Sequence, residues 1–212
     1  MSKWPSDVMW HIHKIPPKQQ KKVAFQATVD YIQQTQTPCY AVTEAARDES
    51  ILQFIHQNSE IMHCLYSGDT RIRLANYAPY LFRIDLGNPI IRRFLAEGWG
   101  HGGYILLSSA STVQDILIQL RKTLIVRSEA GKNLYFRFYD PRVLRSYLPL
   151  CSQDDVSKLM GKQIETLFCE THDAKHLFHC HAHTPRLLRR ISGIKRDYRL
   201  SHSTLIENAA YG

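Results

Sequence analysis

Residues 134–145 read L-Y-F-R-F-Y-D-P-R-V-L-R, and the change of period inside this stretch decides the fold. The first half alternates, so Leu134, Phe136 and Phe138 share one face of a strand, and Tyr135, Arg137 and Tyr139 the other. The second half opens a helix. Asp140 is placed to accept a backbone N–H as N-cap, and Pro141 suits the first helical position because it has no N–H to lose. Val143, Leu144, Tyr147 and Leu148 then fall on one helical face, and Pro149 stops the run. Arg137, Asp140 and Arg142 meet at this corner. A guanidinium within an aromatic strand needs a carboxylate or carbonyls around it, so Arg137 is expected at least half buried, with Asp140 or Asp85 as partner. The trio reads as an ion-pair knot holding the corner, not as an active site.

Outward from the corner, strands and helices interleave. Toward the N-terminus, the turn at 129–132 joins this strand to another at 124–126 as a hairpin. Before it, Ser111 to Gln114 matches a capping box, and Val113, Ile116, Leu117 and Leu120 repeat with helical spacing. The apolar run 104–108 predicts a strand covered on both faces. Asn88-Pro89 starts a helix that buries Ile90, Ile91, Phe94 and Leu95 and ends at Gly98. Further strands are expected at 39–43, 61–66 and 80–84, and further helices at 18–34 and 48–57. On the C-terminal side, Ser152 and Asp155 cap a last core helix, and 164–169 supplies a possible edge strand. The pattern predicts an α/β fold: a mixed β-sheet flanked by helices, with a small mainly helical C-terminal appendage. Residues 1–37 form an N-terminal arm and helix, 38–170 the α/β domain, and 171–212 a His-rich segment and basic tail.

Composition narrows the function. With 44% hydrophobic residues in 212, the chain can bury a real core, and no apolar run approaches a bilayer span. Five scattered cysteines without a C-x-x-C read as reduced thiols of a cytoplasmic protein. The net charge of +8 is terminal. Residues 1–22 carry five Lys against Asp7, and 175–212 carry seven Lys and Arg against Asp197 and Glu207, while the rest is nearly neutral. Such ends suit an anionic partner.

The chemistry-bearing motifs are few. The glycines at 98, 100, 102 and 103 follow a helix and open a strand, the reverse of a dinucleotide loop, so they read as a turn with Trp99 as its packing anchor. No Walker loop, nucleophile elbow or local Cys–His pairing is present. Residues 169–183 hold five His and two Cys; on a helix, His172 with His176, and His176 with His179 and Cys180, would share faces as zinc ligands do. The spacing matches no zinc module, and no metal or cofactor is assigned. Thr184-Pro185 is expected to start a short helix carrying Arg186, Leu187, Leu188, Arg189, Arg190 and Ile191, followed by Lys195, Arg196 and Tyr198. These residues are the candidate partner-binding segment, an apolar stripe among cations that orders on binding.

Read together, C-Y-A-V-T-E-A-A-R-D (39–48), C-L-Y-S-G (64–68), A-P-Y-L-F-R-I (78–84), G-W-G-H-G-G-Y-I-L-L-S-S (98–109), L-R-K (120–122) and F-R-F-Y-D-P-R-V-L (136–144) resemble a known family. It is that of the adaptor chaperones of the bacterial type VI secretion system, long known only as a domain of unknown function. The resemblance spans roughly residues 38–170, and L-R-K stands where the family often has His-Leu-Arg. It implies a cytoplasmic, non-enzymatic protein that binds a cognate toxic effector and helps load it onto the spike tip protein. The alternatives are a basic nucleic-acid-binding protein, disfavoured because the body is slightly acidic, and an uncharacterised hydrolase, disfavoured because no nucleophile–base spacing is found.

Overall fold

The computed structural model describes residues 17–127, 131–182 and 184–188. Among them are seven α-helices: α1 Pro17–Gln34, α2 Glu49–Gln57, α3 Gly68–Leu74, α4 Pro89–Gly98, α5 Val113–Thr123, α6 Pro141–Tyr147 and α7 Gln153–Met160. Nine strands accompany them: β1 Cys39–Glu44, β2 His63–Cys64, β3 Pro79–Arg83, β4 Tyr104–Ser108, β5 Ile125–Arg127, β6 Asn133–Tyr135, β7 Thr166–Glu170, β8 Leu177–His181 and β9 Thr184–Leu188. Seven strands form one sheet in the order β2-β3-β1-β4-β7-β8-β9, and β5 and β6 form a separate hairpin.

The sheet is apolar on both faces, which is why β4 reads as a continuous hydrophobic run. Val42 lies between Leu81 and Ile105 in register, and Tyr40 beside Leu107. Tyr40, Val42, Ile105 and Leu107 face a core completed by Ile116, Leu120, Phe138, Leu144, Val156 and Met160 of α5, the corner, α6 and α7. Ala41, Phe82, Leu106 and Phe168 face the opposite way, against Ala24, Ile32, Phe54, Ile91, Phe94 and Leu95 of α1, α2 and α4. Helices sandwich the sheet, as the α/β reading expected.

The expected mixed sheet is corrected: every strand pair is antiparallel. Interleaved helices suggested parallel crossovers, but β1 enters the sheet between β3 and β4, each running against it. Nor is the stretch at 134–139 a core strand. Only Asn133–Tyr135 is extended, every residue of that strand is exposed, and its partner is β5. The chain turns at 137–140, where the Asp140 N–H donates to the Arg137 carbonyl, so Phe138 and Tyr139 are buried side by side and no longer alternate. The predicted edge strand is Thr166–Glu170, and it lies inside the sheet between β4 and β8.

The helical C-terminal appendage is also corrected. Residues 177–181 and 184–188 are β8 and β9, added antiparallel to β7. L-F-H-C-H has a period of two: Leu177 joins one core, while Phe178 and Cys180 pack on the other. Pairing with β7 also satisfies the backbone that a free helix would have had to satisfy alone. Arg186, Leu187 and Leu188 therefore belong to a strand, whereas Arg189, Arg190, Ile191, Lys195, Arg196 and Tyr198 lie outside the described residues.

Candidate functional site

Three landmark segments, distant in sequence, meet at one end of the sheet. They are the end of β1 with the turn after it (Glu44, Arg47), the glycine loop 98–103, and the corner at 137–142. Their centre is Asp140, only 3% exposed. Its carboxylate accepts from the Arg142 N–H at 2.9 Å, capping α6, and from the Arg142 guanidinium at 2.6–3.2 Å. Arg47 approaches it at 3.4 Å and Arg137 at 3.7 Å. Burial pushes the Asp140 carboxyl up, but the hydrogen bonds and charge of Arg142, with Arg47 behind, hold it below the ordinary carboxylate range.

Arg137 has a different chief partner from the one expected. It donates to Glu44, whose side chain is largely buried, and reaches Asp140 only at the longer distance. Asp85 caps its own turn by accepting from the Gly87 N–H. Close to half of the Arg137 side chain, 46%, remains exposed, because the guanidinium spans the surface between two more deeply set carboxylates. The knot is therefore three guanidiniums around Glu44 and Asp140, with Arg47 and Glu44 as members that the spacing had not singled out.

The glycine loop is tied to the same knot. Arg47 donates to the His101 carbonyl at 2.7 Å, and a Cβ at Gly102, where φ is +64°, would come 2.5 Å from that guanidinium. The loop also wraps an anion supplied by the chain itself. The N–H groups of Gly100 and Gly102 donate to the Glu170 carboxylate, which is 7% exposed, and Arg145 donates to the Glu170 carbonyl at 2.7 Å. This is the anion-binding use of a backbone nest, filled from β7 instead of by phosphate. Trp99, 5% exposed, anchors the loop as expected: its ring packs near Phe25, and its Nε1–H donates to the Ala174 carbonyl at 2.9 Å.

Beside the knot, a cleft of about 870 Å³ opens between α2 and α4. Phe54 and Phe94, stacked at 3.9 Å, lie at its wall, and Arg47, Arg93, Arg137 and Arg142 line it with Glu44 and Glu97. The cleft offers guanidinium donors and an apolar wall. The five thiols are poorly placed for nucleophilic work. Burial pushes Cys39 and Cys151 up to about 11 and Cys169 to about 12, and raises Cys64 and Cys180 as well.

The zinc-like spacing of the His-rich segment depended on a helix. In the β7–β8 hairpin, His179 and His181 stand two residues apart on one strand with rings 5.1 Å apart, and Thr166 hydrogen-bonds His181 at 2.8 Å. Among the described residues no group of three or more His, Cys, Asp or Glu could hold a metal ion. Likewise, no described helix is long and apolar enough to cross a membrane.

No curated protein and no solved structure matches the chain. A family model does match, over residues 39–158, which is more than half of the chain and runs from the first residue of β1 into α7. That span contains Glu44, Arg47, the glycine loop and the whole Asp140 corner, so the knot is built from the matched region, with Glu170 closing the loop from just beyond it. The chain belongs to the family described as Domain of unknown function (DUF4123).

Proposed function

We propose that this chain is a non-enzymatic adaptor that binds a cognate effector of a type VI secretion system and promotes its loading onto the spike tip protein. The observation that carries the reading is the use made of the landmark residues. Glu44, Arg47, Arg137, Asp140 and Arg142 are engaged with one another and with the glycine loop, so the segments that resemble the adaptor chaperones serve to fix one end of the sheet. That rigid end carries the cleft between α2 and α4, whose donors and aromatic wall suit a protein partner. The basic tail beyond Leu188 adds a second recognition element, which accelerates encounter with an acidic partner through its charge.

Delivery is the test. Deleting the gene should abolish secretion of one effector while the apparatus continues to assemble and to release its other cargo, and a plasmid copy should restore it. Unimpaired secretion of every effector would overturn the proposal.

A further inference from the structure

Helices that buries no side chain gain little from folding, because the stability of a short helix comes from packing one face. The segment 67–77 is such a case. Every residue from Ser67 to Leu74 is exposed, α3 buries nothing, and of the turn that follows only Ala75 is partly covered. The apolar residues stand in solvent: Ile72 is 80% exposed, Tyr77 62% and Leu74 39%. Yet the segment is fastened at its C-terminal end. Tyr80 donates its hydroxyl to the Ala75 carbonyl at 3.1 Å, His56 meets Asn76 at 3.3 Å, and the 75–77 turn packs on the 45–47 turn that carries Arg47. At its N-terminal end, Tyr66 interacts with Tyr139 of the corner through a side-chain hydrogen bond and electrostatically with Tyr135 of the β5–β6 hairpin, itself 63% exposed. The knot, α3 and the hairpin thus form one continuous end of the molecule.

The charge on this segment points to its occupant. Arg71 and Arg73 flank Ile72, and among the described residues neither forms a salt bridge; Asp69 is the single carboxylate on α3. We propose that α3 and the turn after it are a docking element for a protein partner that presents an apolar pocket rimmed by Asp and Glu. Ile72 and Tyr77 enter the pocket, and Arg71 and Arg73 meet the rim. Burial supplies affinity and the arginines supply register and on-rate. The inference rests on the adaptor reading in taking that partner to be the effector. Nucleic acid would also meet two arginines, but the body that carries α3 is slightly acidic overall and, among the described residues, offers no wider basic stripe for a phosphate backbone.

The experiment places a benzophenone amino acid at position 72 in cells that make the protein natively, with position 118 as control, since Ile118 is 44% exposed and belongs to α5, not to α3 or the turn after it. Irradiation should yield an adduct to one heterologous protein at position 72 and none at 118, with the cross-linked peptide carrying Asp or Glu beside apolar residues. Arg71→Glu with Arg73→Glu should lower the adduct at least about fivefold, as expected for opposed charges at a docking rim, without changing the melting temperature. No adduct, equal adducts at both positions, a cross-linked homodimer or a nucleic-acid adduct would each overturn the proposal. The two readings fail separately. An acidic, apolar partner that is not a secreted effector leaves the docking surface standing and removes the adaptor role, whereas an effector that co-purifies without an adduct at 72 does the reverse.

Discussion

Replacing Asp140 by Ala should be among the most damaging single changes in the chain. The carboxylate is 3% exposed, holds Arg142 at 2.6 Å, attracts Arg47 and Arg137, and caps α6. Deleting one partner of a buried ion pair typically costs about 3–5 kcal/mol, because the other charge is stranded. Here the lower end applies, since 46% of the Arg137 side chain and 64% of the Arg142 side chain already meet water. Loss of the N-cap adds about 1 kcal/mol, so the expected total is about 4 kcal/mol. For a chain of this size that corresponds to a melting temperature lower by about 8–16 °C. Asp140→Asn separates the parts, because Asn still caps a helix but carries no charge; it should lose about 3 kcal/mol and leave the cap in place. Thermal and urea unfolding followed by circular dichroism give both values. If both variants melt within about 1 °C of the parent, the knot does not hold the corner and the physical account of it is wrong.

Three further outcomes follow from the geometry. Glu170→Ala strands the N–H groups of Gly100 and Gly102 in a loop closed by Trp99, so it should lower stability by about 2–4 kcal/mol in urea unfolding, with Glu170→Gln intermediate because it keeps one acceptor. Burial, with His181 alongside, holds His179 down at about 4, well under its ordinary value of 6.5. The unfolded chain therefore takes up a proton before the folded one does. Stability should be flat above pH 6.5 and fall by about 2–3 kcal/mol between pH 6.5 and 4 from this residue, and His179→Phe should remove that part of the slope. Deleting 189–212 leaves β9 in place, so the melting temperature should stay within about 2 °C while capture of the effector weakens about tenfold, and more so at low salt. A truncated chain that unfolds would show that the tail belongs to the core.

Much of the fold was legible where local chemistry and burial agree. Asn88 caps α4, Ser152 and Asp155 form a capping box at α7, and Asp140 with Pro141 starts α6, each as the residues predict. The 104–108 run is a strand buried along its whole length. Capping at α5 slipped by one, to Thr112 with Asp115, because both Ser111 and Thr112 can serve. Other features left no local trace. α3 buries no residue, so no core-facing periodicity announces it. L-F-H-C-H reads equally well as a helix face or as strand alternation, and pairing with β7, a contact between distant parts of the chain, settles it. Arg137 was rightly read as needing a carboxylate, but its chief partner lies 93 residues away, in a segment noticed only as part of a resemblance. The Glu170 cradle was missed for the same reason: loop glycines show that a backbone must turn, not what the turn encloses.

The most direct measurement of the central claim is co-expression of the tagged chain with the products of the genes flanking its own and with the spike tip protein, followed by size-exclusion chromatography with light scattering. The adaptor reading predicts a complex of defined mass between the chain and one toxic flanking product, which then joins the spike tip protein, while the chain alone turns over no lipid, peptidoglycan or nucleotide. A chain that stays alone under these conditions, yet hydrolyses one of those substrates in a way that a single side-chain substitution abolishes, would contradict it.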